Sequence, residues 1–203
     1  MKPWILDLCS GFGGASEAFA NHPHWRVVRI ENNPQLAHIA HTRLLDINHW
    51  MDWLPALIDE MGCPPKVVWA SPPCLEFSEA FNAPKPTARR EGREFKPDFT
   101  ILQSCISIIG IVKPKFFIIE NVAGASLDFR PYLGEWSQRI GPFYLWGEFP
   151  HLHVGEEFEH TKTSNDVWND NPLRSNYKAI VPLEISEAFL DASMRQTTLE
   201  DWI

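Results

Sequence analysis

Two short segments of the sequence set reactive side chains just past apolar runs. Ala70-Ser71-Pro72-Pro73-Cys74 places a thiol beyond Lys66 to Ala70, and the two prolines fix the backbone so that Cys74 is presented in one orientation. A lone cysteine is more often a small buried hydrophobe. A thiol on a prolyl turn at the carboxyl edge of an open α/β sheet, however, stands where such sheets bind ligands, and this favours a nucleophile. Cys9, Cys63 and Cys105 lack such a setting and keep the ordinary reading. Phe116-Phe117-Ile118-Ile119-Glu120-Asn121-Val122 delivers a carboxyl and an amide to the same edge. An unpaired buried carboxylate is costly, so Glu120 is expected to be paired or to hold its proton unusually tightly. A structural glutamate capping the next turn is the alternative.

Three further features fit a nucleotide-like ligand beside that pair. Asp7-Leu8-Cys9-Ser10-Gly11-Phe12-Gly13-Gly14 reads as a strand entering a glycine turn that opens a helix, where a ligand can approach the backbone closely. By itself such a turn is also an ordinary architectural device. Glu31, followed by Asn32, lies about 20 positions beyond the turn, the offset at which a carboxylate accepts both ribose hydroxyls of an adenosine-containing cofactor. Asp46-Ile47 falls where a third strand would end, although an acidic residue there is often only a helix cap. In series, these residues favour an adenosine pocket.

Positioning such groups along one edge requires alternating strands and helices. Strands are expected at Trp4 to Leu8, Trp25 to Ile30, Lys66 to Ala70, Phe116 to Glu120 and Phe143 to Phe149. Helices are expected at Gly14 to Asn21, Pro34 to Arg43, Met51 to Glu60, Phe99 to Val112 and Leu183 to Met194. The pattern predicts an α/β fold with a mostly parallel sheet and helices on both faces. Ser71 to Asp98 has little apolar periodicity and reads as a long loop, and His151 to Ser175 as polar and irregular. The implied division is a catalytic, cofactor-binding unit over residues 1–150, an irregular segment over 151–175 that could serve as a reduced recognition element, and a closing segment over 176–203 that packs back on the first.

In order and spacing, these motifs resemble the cytosine carbon-5 methyltransferase family over about residues 4 to 124. Asp7, Ser10, Gly11, Phe12, Gly13 and Gly14 are similar to its methionine-cofactor loop, and Glu31, Asn32, Asp46 and Ile47 to its ribose and adenine contacts. Ser71-Pro72-Pro73-Cys74 is similar to its catalytic turn, with Pro72 on the cofactor side and Ser71, Pro73 and Ser78 towards the substrate. Glu120-Asn121-Val122 looks like its glutamate motif, and Phe99-Thr100-Ile101-Leu102 through Lys113-Pro114-Lys115 like the helix and turn before it. Arg139 matches an arginine that orients the target base, although a surface arginine in an ion pair fits as well.

The resemblance implies a Rossmann-like fold, S-adenosylmethionine as cofactor and DNA cytosine as substrate. Cys74 would add to carbon 6 of the ring and Glu120 would protonate nitrogen 3, with Asn121 and Arg139 completing the catalytic set. A target base would have to be flipped or single-stranded to reach them. The chain departs from the family in leaving only Ala123 to Ala179 for recognition and in lacking the usual Gly-Asn pair before Val181-Pro182. Specificity is therefore expected to be short or relaxed, read by Ser71 to Asp98, by His151 to Ser175, or by both.

Composition bounds the partners. The chain has 203 residues, 44% apolar, with a formal charge of −8, so any phosphate contact must be local. Lys85, Arg89, Arg90, Arg93 and Lys96 supply one such place. The four cysteines form no C-x-x-C pair, and His151, His153 and His160 lack a completing ligand set, so neither a disulfide framework nor a metal is expected. No run is long enough to span a bilayer and no export signal is evident, which predicts a cytoplasmic protein, in a bacterial or phage-infected host, with a monomer favoured. Competing readings are a tRNA cytosine methyltransferase, methylation of a free nucleotide, a catalytically silent binding module and a nicotinamide dehydrogenase. The last leaves the Pro-Pro-Cys turn unexplained.

Overall fold

The computed structural model describes residues 2–155, 158–160 and 170–195. Seven strands form one sheet: β1 (Trp4–Leu8), β2 (Arg26–Glu31), β3 (Thr42–Leu44), β4 (Val67–Ala70), β5 (Phe116–Asn121), β6 (Gln138–Ile140) and β7 (Phe143–Glu148). Their order is β3-β2-β1-β4-β5-β7-β6, parallel from β3 through β5, with β7 antiparallel to both neighbours. The chain crosses over between β3 and β4, so the ends of β1, β4 and β5 share one rim, where the order reverses, the place at which such sheets bind ligands.

Helices cover both faces, which is why the central strands are apolar without alternation. On one face α2 (Trp50–Met61), α4 (Thr100–Val112) and Phe129 of α5 (Ser126–Leu133) pack on Trp4, Leu6, Leu8, Val68 and Ile119. On the other, α1 (Glu17–Asn21) and α7 (Leu183–Arg195) pack on Ile5, Val67, Trp69 and Ile118. The Rossmann-like arrangement expected from the sequence is therefore present, with element ends shifted by a residue or so.

The segment from Pro34 to Arg43 is not the expected helix. It makes a 3-10 turn at Pro34–Leu36, capped by the Asn33 side chain accepting the Gln35 N–H, and then enters β3. Leu36 is the one residue between positions 32 and 41 that is buried, so a helix there would have had no apolar face to pack, while β3 satisfies its backbone against β2. The loop expected over Ser71 to Asp98 contains a helix, α3 (Pro84–Arg90), started by Pro84 in the first turn and seated through buried Pro86 and Ala88. α5, β6 and the short α6 (Arg174–Lys178) also went unread, and α6 straddles the expected boundary between residues 175 and 176. Among the described residues no helix is long and apolar enough to cross a membrane.

Candidate active site at the sheet rim

The loop after β4 is anchored at its first residues. Ser71 donates its N–H to Leu8 O at 3.0 Å, and the Asn121 side-chain amide donates to Pro72 O at 2.9 Å, tying the prolyl turn to the ends of β1 and β5. Asn121 is thus a brace beneath the turn, and its carbonyl accepts the Val122 N–H. Cys74 follows, partly buried, with its own carbonyl accepting the Phe77 N–H at 3.1 Å. Pro72 is buried and Pro73 exposed, while the partly buried Ser78 hydroxyl accepts the Ala80 N–H.

Glu120 lies at the end of β5, only 9% exposed. Burial pushes its carboxyl up to about 7, opposed only by a hydrogen bond from Ser71. The Trp69 indole N–H donates to Ser71 Oγ at 2.9 Å, which fixes the hydroxyl that acts on Glu120. The Cys74 thiol is raised as well, first by burial and then by the negative charge of Glu120. The two groups therefore sense each other across the rim: a thiolate on Cys74 is favoured when Glu120 is neutral. That pairing suits a nucleophile and an acid acting on one substrate.

Beside them lie the turns that follow β1, β2 and β3. Gly11 (φ +54°) and Gly13 (φ +78°) take left-handed conformations that let the turn double back. Gly11 donates its N–H to Glu31 Oε2 at 2.8 Å, and Glu31 Oε1 accepts the N–H groups of Asn32 and Asn33. Asp46 is exposed and caps the turn over buried Ile47 by accepting the Asn48 N–H. Asp7 is wholly buried; burial pushes it up to about 6 against a 2.6 Å hydrogen bond from Ser16 Oγ. Gly14 packs against the Val181 backbone, and the Phe12 ring stacks on Tyr177 of α6 at 4.4 Å. The buried Ser10 hydroxyl and Asp7 Oδ1 find no partner among the described residues, so polar capacity is left over at this turn. A glycine turn, spare buried oxygens and carboxylates at consecutive strand ends suit an adenosyl amino-acid cofactor.

Other residues singled out from the sequence lie farther along. Arg139 is exposed on β6, opposite Tyr144, which is itself opposite Asn121; its Nε–H donates to Gly141 O and its guanidinium lies 5.2 Å from the Tyr144 ring. Of the basic stretch, Lys85 bridges Asp128 at 2.8 Å and Glu79 at 3.4 Å, Arg89 pairs with Glu79, Arg93 with Glu91 and Lys96 with Glu94. Arg90 instead covers the Phe81 ring at 3.9 Å.

Three residues that support the site were missed. Arg29, 2% exposed, donates to Gly13 O, Ser16 Oγ, Ala40 O and Glu17, and so holds the glycine turn from below. Its signal was legible: an arginine inside the apolar run Val27-Val28-Arg29-Ile30 demands partners. Trp69 and Tyr177 gave none, because an apolar strand always buries aromatics and α6 has no apolar periodicity.

Comparison with known proteins follows the same outline. The model of the C-5 cytosine-specific DNA methylase family matches residues 4–130. A Frog virus 3 (isolate Goorha) protein described as a DNA (cytosine-5)-methyltransferase is 27% identical over 150 residues, which is 71% of this chain. The chain spans 64% of that relative's own length. A solved structure described as a DNA modification methyltransferase encoded within an E. coli prophage aligns with a TM-score of 0.42 at 19% identity, over 61% of this chain and 33% of the other.

Proposed function

The chain belongs to the C-5 cytosine-specific DNA methylase family, and from that premise we propose that it transfers a methyl group from S-adenosylmethionine to carbon 5 of cytosine in DNA through a covalent adduct on Cys74. The observation that carries this reading is the placing of Cys74 and Glu120 on one rim, a thiol raised by burial and by its neighbour's charge and a carboxyl that burial keeps substantially protonated near neutrality. Carbon 5 of cytosine is a weak nucleophile, so the ring must first be activated. Cys74 Sγ adds to carbon 6 while Glu120 places a proton on ring nitrogen 3, and the resulting enamine is nucleophilic at carbon 5. After methylation, loss of the carbon-5 proton to a base, return of the carbon 6–sulfur electron pair to Cys74 and return of the nitrogen-3 proton to the Glu120 carboxylate restore the aromatic ring. Asn121 keeps the prolyl turn in register, and Ser71 steers the Glu120 carboxyl.

Asp7, Ser10, Gly11, Phe12, Gly13, Gly14, Glu31, Asn32, Asp46, Ile47 and Pro72 form the cofactor side of the site. When bound, S-adenosylmethionine supplies an electrophilic sulfonium methyl. Residues 1–150 act as the catalytic unit, and the substrate side takes in Ser71, Pro73, Ser78 and Arg139 with Lys85, Arg89, Arg90, Arg93 and Lys96. The exposed pairs of Arg89, Arg93 and Lys96 can redirect to phosphate at little cost, since such pairs are worth about 0–1 kcal/mol, whereas Lys85 is held on the partly buried Asp128. Residues 151–175 would add base contacts; 156–157 and 161–169 lie outside the described residues. With so small a recognition surface, specificity is short or relaxed.

The decisive experiment is transfer of labelled methyl to DNA, tRNA and free cytidine nucleotides, with Cys74→Ser alongside. Label is expected in DNA cytosine for the native chain and absent for the variant, and DNA containing 5-fluorocytosine should trap a covalent complex. Label in tRNA or nucleotide alone, or an active Cys74→Ser, overturns the proposal. Bisulfite sequencing of the methylated DNA reads the specificity, and strict modification of one long site would contradict the relaxed reading.

A further inference from the structure

The residues that follow α7 carry an apolar set that the catalytic reading does not use. Gln196-Thr197-Thr198-Leu199-Glu200-Asp201-Trp202-Ile203 lies outside the described residues. Its sequence sets a glutamine, a leucine and a tryptophan at intervals of three, with an isoleucine beside the last. Wound as a helical turn, those four side chains fall within about a third of the circumference, and the two threonines and two carboxylates fall outside it. Eight residues are too few for such a turn to hold by itself, so the apolar side needs a surface to lie on.

The chain's own fold offers a poor one. Along α7 the buried face narrows from Ile185 and Phe189 to Ala192 and Ser193, and the next position on that stripe is the polar Gln196. α7 also directs the segment away from the catalytic rim. It starts beside the glycine turn, where Gly14 meets the Val181 backbone, and by Phe189 it has reached Phe19, whose ring meets that of Trp25 just before β2. That is the end of β2 opposite Glu31, and Arg195 stands about 9 Å of helix farther on. A partner held there leaves Cys74 and Glu120 open to substrate.

Resting on the DNA reading above, we propose that residues 196–203 dock as one amphipathic turn in an apolar groove on a protein ring that encircles duplex DNA and slides along it. Leu199, Trp202 and Ile203 fill the groove, while the Gln196 carboxamide, donor and acceptor at once, fixes the register at its end. Glu200 and Asp201 call for a basic border. The need for such a partner is electrostatic: a chain of net charge −8 with one local basic stretch has little sequence-independent hold on DNA. A ring threaded on the duplex supplies that hold at any sequence, which suits an enzyme that reads few bases. Tethering also raises the local concentration of substrate to about the millimolar range.

The test is calorimetric titration of the full chain with purified DNA-sliding rings of bacterial, archaeal and viral origin. Binding to at least one is expected; Leu199→Ala and Trp202→Ala should each weaken it about 10- to 100-fold, as buried anchors do, and Thr197→Ala should leave it within about twofold. Methyl transfer to a circular duplex carrying that ring should exceed transfer to the bare circle. The gain should vanish in Trp202→Ala, with transfer to a short duplex lacking a ring kept at the native rate. Thermal melts of that variant should stay within about 3 °C of native; a larger drop places the anchors in the chain's own core and overturns the docking. Failure to bind any of the rings overturns it too and leaves methyl transfer standing. No transfer by the native chain to any DNA overturns the functional reading, even where a ring binds.

Discussion

Glu120 and Cys74 lose their protons in the ordinary order, carboxyl before thiol, but the reaction needs the reverse pair. Productive attack needs a thiolate and a carboxylic acid together, yet the carboxyl titrates near 7 and the thiol, raised by burial and by Glu120, titrates later. The active form is thus the minority protonation pair. Below about pH 7 the thiolate fraction limits the rate; above it, each gain in thiolate is cancelled by loss of the acid. kcat/KM should accordingly rise to a plateau that begins near pH 7 and ends at the thiol. Glu120→Gln has no such proton to lose. Its residual activity, lower by about 100- to 10,000-fold, should keep rising through that range, and a plateau persisting in the variant would count against Glu120 as the acid. The same group governs stability. A carboxyl whose proton is held more tightly in the folded state contributes fully below its unfolded value, and the contribution is lost as pH rises through the folded one. For Glu120 that loss runs from roughly pH 4 to 7 and reaches at most about 3 kcal/mol. In urea denaturation Glu120→Gln should therefore exceed the native chain in stability at pH 8 and match it at pH 4.

Elements carry the glycine turn through a buried polar network. Ser16 Oγ donates to Asp7 Oδ2 at 2.6 Å and accepts from Arg29 Nε at 2.8 Å, so a single hydroxyl links β1, β2 and the start of α1. Ser16→Ala leaves Asp7 with no hydrogen bond and Arg29 Nε unpaired. Leaving such buried groups unsatisfied costs about 1–3 kcal/mol, readable as a lower urea midpoint with an unchanged slope. A stability within a few tenths of native would mean that the network closes up around the missing oxygen. How legible such elements were depended on whether burial was periodic. α4 repeats its buried positions at Leu102, Cys105, Ile108, Ile109 and Val112, so its spacing exposed it. The Pro34–Arg43 segment has the composition of a helix, but tertiary pairing with β2 turned its end into β3. α3 hid behind prolines, which elsewhere break helices and here begin one. At the site, the order of Cys74, Glu120 and Glu31 along the chain was enough to place each at a strand end. The influence of Ser71 on Glu120 was not legible, because it depends on side chains brought near each other from two strands.

At the scale of the molecule, the C-terminal segment closes over the glycine turn by a route the sequence did not disclose. In place of the family's Gly-Asn pair, this chain brings Tyr177 onto Phe12 and threads Ile180 and Val181 against Gly14. α7 then clamps the turn leading into α1: Ser186 Oγ accepts the Ala18 N–H at 3.0 Å and donates to Ala15 O at 2.8 Å, 168 and 171 residues away in sequence. Folding of α7 and the shape of the turn are thereby one event. Ser186→Ala should orphan two buried backbone groups and lower stability by about 1–3 kcal/mol. Because those groups belong to the turn, it should also weaken S-adenosylhomocysteine, by about 3- to 10-fold if roughly 1 kcal/mol of the loss falls on the bound shape. Leu190 lies on the same helix but packs in the core beneath the sheet. Leu190→Ala should cost about 2–5 kcal/mol and leave the affinity within about twofold, since cavity loss affects folding more than the turn. Calorimetric titration of both variants with S-adenosylhomocysteine, alongside thermal melts, separates the two effects. If they lose affinity in proportion to lost stability, α7 acts only as a general support; if Ser186→Ala alone loses affinity, the clamp shapes the cofactor site directly.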